Sequence, residues 1–319
     1  MNSTAVPDLN TASSRHLAHS HARMHLLMLL ATFCWAANIV AGKEALKGLD
    51  PLALAQIRVI VATLLFALVF MGWHKGPIPR LTGRGWLDLL VVAACGVTFN
   101  QLFFIGGLAR SSATHTGMVV AVIPVMVLVL SCALRMEPLT LLKFIGMLIS
   151  FAGVAILTTS KAGRGTGGYW KGDLILLAGS AVFALFTIIV KRLGNRYQPL
   201  TLNTVAFALG SILMLPFGLR PVLHVNWKLV TFTAWWGLAF MAVFGSVVAY
   251  LAFAVALTEL TASRVAAFGY LQPMLATALS IWLLGEKITT AFVISGMLIL
   301  SGVYLAERER GEEQTISST

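Results

Sequence analysis

The sequence predicts an all-α polytopic membrane protein of ten transmembrane helices, arranged as two inverted five-helix repeats. Three observations predict it. The 319-residue chain is 58% hydrophobic and only 11% charged, whereas a soluble domain is about 25% charged. Its apolar residues come in blocks of about 20, the length that crosses roughly 30 Å of hydrocarbon. The two halves of the chain also repeat one another.

Ten spans are predicted, over residues 24–43, 51–73, 85–107, 113–134, 140–158, 172–193, 199–219, 232–256, 262–284 and 288–306. Gly- and Pro-rich punctuation separates them: GLDP before span two, HKGPIPRLTGRG after it, KAGRGTGGYWKGD after span five and GLRPVLHVNW after span seven. Very short links join spans three to four and nine to ten, so each of these pairs is expected to be antiparallel neighbours. Residues 1–23 and 307–319 are expected to be disordered cytoplasmic tails. The first repeat then covers 24–158, a linker 159–171 and the second repeat 172–306. Residues 1–23 show no basic segment leading into a short apolar stretch, so a signal peptide is not expected there.

The repeat appears when the chain is shifted by 148–149 residues. Trp35 falls on Phe183 and Pro51 on Pro199. After a one-residue slip, Trp86 falls on Trp235, Gly96 on Gly245, Ala113 on Ala262, Pro124 on Pro273, Glu137 on Glu286 and Gly153 on Gly302. Five spans per half is an odd number, so the second half enters the membrane inverted. Inverted repeats of this kind are the sequence mark of a secondary transporter. With the N-terminus inside, 13 Lys/Arg face the cytoplasm and 9 the exterior, Arg58 aside. That bias favours cytoplasmic N- and C-termini in a cell inner (plasma) membrane.

The net charge of +11 does not indicate a nucleic-acid partner. The basic residues are scattered between apolar blocks, as expected where loops meet anionic lipid. Cys34, Cys95 and Cys132 lie inside apolar blocks without CxxC spacing, so neither disulfides nor a metal site is expected. His16, His19, His21 and His25 read as part of a solvated tail rather than as metal ligands. No cofactor is expected. HExxH, GxSxG and Walker signatures are absent from the sequence. GRGTGG at 163–168 satisfies GxGxxG but follows a membrane span instead of a strand, which fails the context that motif needs.

Several residues stand out at membrane depth. Arg58 in DPLALAQIRVIVATLLF lies about 10 Å below the Pro51 end of span two. A guanidinium there must hold a solute carboxylate, brace neighbouring helices or snorkel to the headgroups. Asn38, Asn100, Gln101 and Gln272 are amides within spans, either interhelical glue or cavity lining. Trp35, Phe183, Phe186, Tyr250 and Tyr270 are mid-span aromatics, packing residues or cavity walls. Trp73, Trp86, Trp170, Trp227 and Trp235 fit the interfacial belts. Pro124 and Pro273, paired by the repeat, each free a carbonyl one turn earlier and are candidate gating hinges. Gly146, Ser150 and Gly153 make a small face on span five, echoed by Ser295 and Gly302 on span ten. The acids Glu44, Asp88, Glu137, Asp173, Glu259 and Glu286 sit near span ends. With no mid-membrane carboxylate, facilitated diffusion or exchange is expected over carboxylate-driven proton antiport, His115 being the alternative proton carrier.

WAANIVAGKEALKGLDPLALAQIRVIVATLLF carries a Trp-small-x-Asn in span one, a Pro at the mouth of span two and an Arg seven residues on. It resembles the opening of the EamA-like repeat of the drug/metabolite transporter superfamily. The ends of the halves, MEPLTLLKFIGMLISFAGVAIL and GEKITTAFVISGMLILSGVYL, resemble it too, as do ARSSATHTGMVVAVIPV and TELTASRVAAFGYLQPM. The resemblance covers about residues 24–306. It implies a ten-helix transporter in which spans 1–4 and 6–9 surround a central cavity and spans 5 and 10 lie outside. It also implies a substrate among amino acids, other small metabolites or xenobiotics, with export common.

Two departures are visible. FCWAANIV lacks the span-one Glu of the small four-helix multidrug members. The second half lacks the Asn and Arg of the first, with Phe186 or Thr187 near the Asn38 position and Ala206 or Phe207 near Arg58. The expected activity is export of small metabolites such as amino acids, aromatic ones included, by alternating access. A multidrug or sugar-type permease is the alternative within the superfamily, and a membrane-embedded receptor or scaffold the alternative outside it. The expected partners are a small-molecule substrate and the lipid bilayer, with the protein a monomer or weak homodimer.

Overall fold

The computed structural model describes residues 9–73, 83–111, 113–161, 170–284 and 290–307, all helix or short connections, with no strand among them. Span one is the Ala22–Ala45 part of helix Leu9–Ala45, span two Pro51–Trp73 and span three Gly83–Arg110. Span four is broken into Ala113–Val120 and Ile123–Ala133, and span five is Leu141–Lys161. Span six is Trp170–Leu193, span seven Pro199–Leu223 and span eight Phe232–Glu259. Span nine is broken into Ala262–Ala267 and Leu271–Leu284, and span ten is Thr290–Glu307.

Residues 9–23, expected as a disordered tail, are instead helical and continuous with span one. Between Pro7 and Gly42 the sequence offers neither proline nor glycine to stop the helix. Residues 1–8, the tail 308–319, the punctuation at 74–82, the GRGTGG segment and Glu286 lie outside the described residues, as does the side chain of His115.

Local chemistry explains the entries. The Asp50 carboxylate accepts from the backbone N–H of Leu52 at 2.9 Å and of Ala53 at 3.3 Å, capping span two ahead of Pro51. Span seven also starts on a proline, Pro199, after an extended Gln198 whose side chain makes no cap bond. Spans four and nine break two to five residues before their prolines. The chain turns at Ala121 and Val122 ahead of Pro124, and passes through a 3₁₀ turn, Phe268–Tyr270, ahead of Pro273. Each proline removes the N–H that would hold the carbonyl one turn back.

Spans three and eight each contain a π-helical stretch, Ala94–Phe99 and Met241–Val248. These hold the repeat-related Gly96 and Gly245. A wider π turn leaves a backbone carbonyl without its usual partner, and such turns gather at functional sites.

Packing follows the repeat. Span three packs on span six and span eight on span one; span six also packs on the second half of span four, and span one on the second half of span nine. The helices therefore fall into two groups, three–four–six and eight–nine–one, related by the internal symmetry. Spans two and seven pack on each other between the groups. Spans five and ten form the outer pair, and their small faces meet. A Cβ on Gly146 would lie 2.6 Å from the Gly302 carbonyl, and Ser150 Oγ donates to the Ile299 carbonyl at 3.2 Å. The Gly302→Val substitution places methyls against the Gly146 and Ser150 backbone. It is expected to cost about 1–3 kcal/mol, the range for overpacking, read as a lower unfolding temperature in detergent. The interfacial tryptophans Trp73, Trp86, Trp170, Trp227 and Trp235 are all exposed.

Candidate functional site: a central cavity

Between the two groups lies a cavity of about 70 Å3. Eight of the residues singled out in the sequence line it: Trp35, Asn38, Arg58, Asn100, Gln101, Phe183, Tyr250 and Gln272, joined by Phe104, Val120, Ile123, Leu176, Gly179 and Ser180. Spans one, two, three, four, six, eight and nine contribute; five, seven and ten do not. This is far below the roughly 300–1,000 Å3 of a pocket that encloses a small molecule. The walls must separate before a metabolite enters. A smaller void continues past Trp35 and Phe183 toward Met28, Thr187 and Val265.

Arg58 is 2% exposed. Its guanidinium does not reach a headgroup region but turns into the bundle. Nε donates to Ser246 Oγ at 3.0 Å, and Ser246 in turn donates to the Met241 carbonyl at 3.2 Å within the π turn of span eight. Nη1 has no hydrogen-bond partner, and neither do Asn38 Oδ1 and Gln101 Oε1, all buried. Among the lining residues Arg58 is the only formal charge and no carboxylate is present. A guanidinium is weakly hydrated for an ion and presents a fork of five donors. Held here, it keeps a buried donor to spare.

The π turns place the other polar groups. The Gly96 carbonyl accepts from the Tyr250 hydroxyl at 2.9 Å, and Asn100 Nδ2 donates to the same hydroxyl at 2.7 Å. The Gly245 carbonyl accepts from Trp35 Nε1 at 3.2 Å. Each repeat-related glycine thus offers its carbonyl to a mid-membrane aromatic whose polar tip needs a partner. The missing side chains matter as well. A Cβ on Gly245 would lie 2.2 Å from Asn38 Oδ1 and 3.0 Å from Arg58 Nη2, and one on Gly96 would lie 2.3 Å from the Phe186 ring. The same notch holds an amide and a guanidinium in one half and a phenyl ring in the other.

Phe186 and Tyr270 are placed elsewhere. Phe186 stands behind the wall, packed against Phe183, Tyr250 and Phe253. Tyr270 is fully buried, outside the cavity lining, with its hydroxyl unpartnered. The aromatic wall itself is a cluster in which Trp35 meets Phe183, Tyr250 and Phe253 edge-on at 5.3–6.0 Å. Phe207, one of the two candidates for the Arg58 position in the second half, is buried between Phe66 and Tyr250. Pro124 and Pro273 lie at the crossing of the broken spans, Pro124 near Gly269 and Pro273 near Gly117. Sequence reasoning missed Ser246 and Phe104. Ser246 was detectable, because it follows the landmark Gly245 and its mate is the apolar Val97.

An internally duplicated membrane helical bundle built around a central chamber lined by an arginine, amides and aromatics is a transport protein of the multi-pass membrane class. Comparison with known proteins places it further. The pattern of the EamA-like transporter family matches residues 22–159 and again residues 170–307, and the chain belongs to that family. An Archaeoglobus fulgidus protein described as an uncharacterized transporter is 30% identical over 293 residues, covering 89% of this chain and 97% of that protein. The Bacillus subtilis protein described as uncharacterized transporter YvbV is 28% identical over 291 residues, covering 89% and 91%. A solved crystal structure superposes with a TM-score of 0.73 at 17% identity, over 89% of this chain and 97% of that one, which establishes likeness of fold.

Proposed function

We propose that this transporter carries small carboxylate-bearing metabolites with an apolar body, amino acids and aromatic ones among them, by alternating access. The observation that carries the reading is the Arg58 guanidinium, buried with Nη1 unpartnered in a chamber lined by no carboxylate and walled by Trp35, Phe183, Phe104 and Tyr250. A solute carboxylate supplies the missing partner in bidentate form, and the aromatic faces take the apolar body. The absence of a lining carboxylate supports exchange or facilitated diffusion over carboxylate-driven proton coupling. Loop charge supports an inner-membrane orientation with both termini cytoplasmic, and the family resemblance supports export.

Counterflow tests this. Proteoliposomes loaded with unlabelled aromatic amino acid are expected to accumulate the labelled form transiently, and fully formed organic cations to compete poorly. The absence of counterflow for every amino acid and simple carboxylate tried overturns the reading.

A further inference from the structure

We propose that Lys43 and Lys191 are paired latches that close the two mouths of the transporter, one at each face of the membrane. This rests on the alternating-access reading above. Lys43, at the end of span one, donates through Nζ to the Leu108 carbonyl at 2.6 Å and to the Ser111 carbonyl. Lys191, at the end of span six, donates to the Leu257 carbonyl at 2.8 Å and the Leu260 carbonyl at 2.7 Å. The two lysines stand 148 residues apart and their acceptors 149, so they are mates under the repeat.

A lysine at the C-terminal carbonyls of a helix is ordinarily a cap. These two differ in where they reach. Neither caps its own helix. Lys43 belongs to the group eight–nine–one and grips the end of span three in the other group. Lys191 belongs to three–four–six and grips the end of span eight. Each bond therefore spans the boundary along which the groups must part. Five crossings separate the end of span one from the end of span six, so the latches lie on opposite faces. With both engaged, the chamber between them is small.

The surroundings fit the role. Beside the Lys43 latch, Ser111 Oγ donates to Asp173 at the start of span six, tying spans three and six within their own group. On the Lys191 face, Glu137 from the link after span four accepts from the Ser263 N–H at 3.1 Å and from its hydroxyl at the start of span nine, a second clasp across the boundary. Lys143 stands 3.6 Å from the Glu137 carboxylate. An ammonium and two carbonyls rehydrate readily when a mouth opens, so the latch is reversible in a way that interlocked side chains are not.

The test places single reporter cysteines one turn inside each latch, Phe104→Cys and Phe253→Cys, repeat mates four residues before Leu108 and Leu257, with Cys34, Cys95 and Cys132 replaced. Labelling by an impermeant maleimide is followed from each face of oriented vesicles. Lys43→Met is expected to speed labelling at Phe104→Cys roughly tenfold and slow it at Phe253→Cys. That is the scale on which losing charge-assisted hydrogen bonds moves a two-state balance. Lys191→Met is expected to do the reverse, and Lys→Arg at either site to restore the parent rates. Equal changes at both reporters, or none, overturn the latches and leave plain helix caps. Absence of counterflow in the parent protein overturns alternating access itself, whatever the lysines do. If a Met variant does not fold, the corresponding Lys→Gln variant gives the same comparison.

Discussion

Arg58→Ala is expected to lower carboxylate transport at least about 100-fold while leaving a folded protein. The loss corresponds to the 2–5 kcal/mol that disappears when one member of a buried charge pair is truncated. Folding survives because the guanidinium makes a single strong bond within the protein, to Ser246, and Ser246 keeps its second bond to the Met241 carbonyl. Removing an unpartnered buried charge also relieves a desolvation cost. Arg58→Lys is expected to recover only a fraction of the activity, since an ammonium cannot grip a carboxylate as a planar fork does. The measurement is initial-rate exchange in proteoliposomes beside the unfolding temperature. A variant that transports normally excludes solute contact by Arg58, and one that fails to fold assigns the residue to bracing.

The second large effect separates two glycines that the sequence treats as equivalent. Gly245→Ala brings a methyl onto Asn38 Oδ1 and Arg58 Nη2, the far ends of side chains able to swing away. The expected result is a modest change in stability and a loss of transport of about tenfold or more, because the anion-binding fork is moved off its position. Gly96→Ala drives the same methyl into the Phe186 ring, which is locked among Phe183, Tyr250 and Phe253. There the expected loss is about 1–3 kcal/mol of stability. Comparing rate and unfolding temperature for the two variants checks the prediction. Equal behaviour of both would mean that the notch has one structural job in each half.

The ten spans were legible because hydrocarbon thickness fixes the length of an apolar block. The repeat was legible because prolines, glycines and tryptophans punctuate both copies at a fixed offset. Most of the candidate site followed from that: Trp35 and Phe183, as well as Gln101 and Tyr250, are repeat mates facing one chamber. What escaped was depth and register. Phe186 and Tyr270 are aromatics at the right height, yet their places on the helical turn set them outside the lining. The π turns were invisible, since an added residue in a helical turn leaves no mark in an apolar sequence, although Gly96 and Gly245 marked the place. The lysine latches escaped because they sit at span ends, where a basic residue ordinarily reads as a contact with lipid headgroups. The helix over residues 9–23 escaped because polar composition was weighed above the lack of any helix breaker.

The one-sided placement of the arginine has a kinetic consequence. The scaffold is nearly a palindrome, but apolar Ala206 or Phe207 stands where a second Arg58 would. On the proposed reading, solute arriving from either side finds the same fork, reached by a short approach from one face and a longer one from the other. Half-saturation concentrations at the two faces are therefore free to differ widely. Detailed balance still forces the ratio kcat/KM to be equal in both directions for a carrier with no coupled ion. Measuring that ratio from each side would reveal whether the protein is a passive carrier, for which it is equal, or draws on a second gradient.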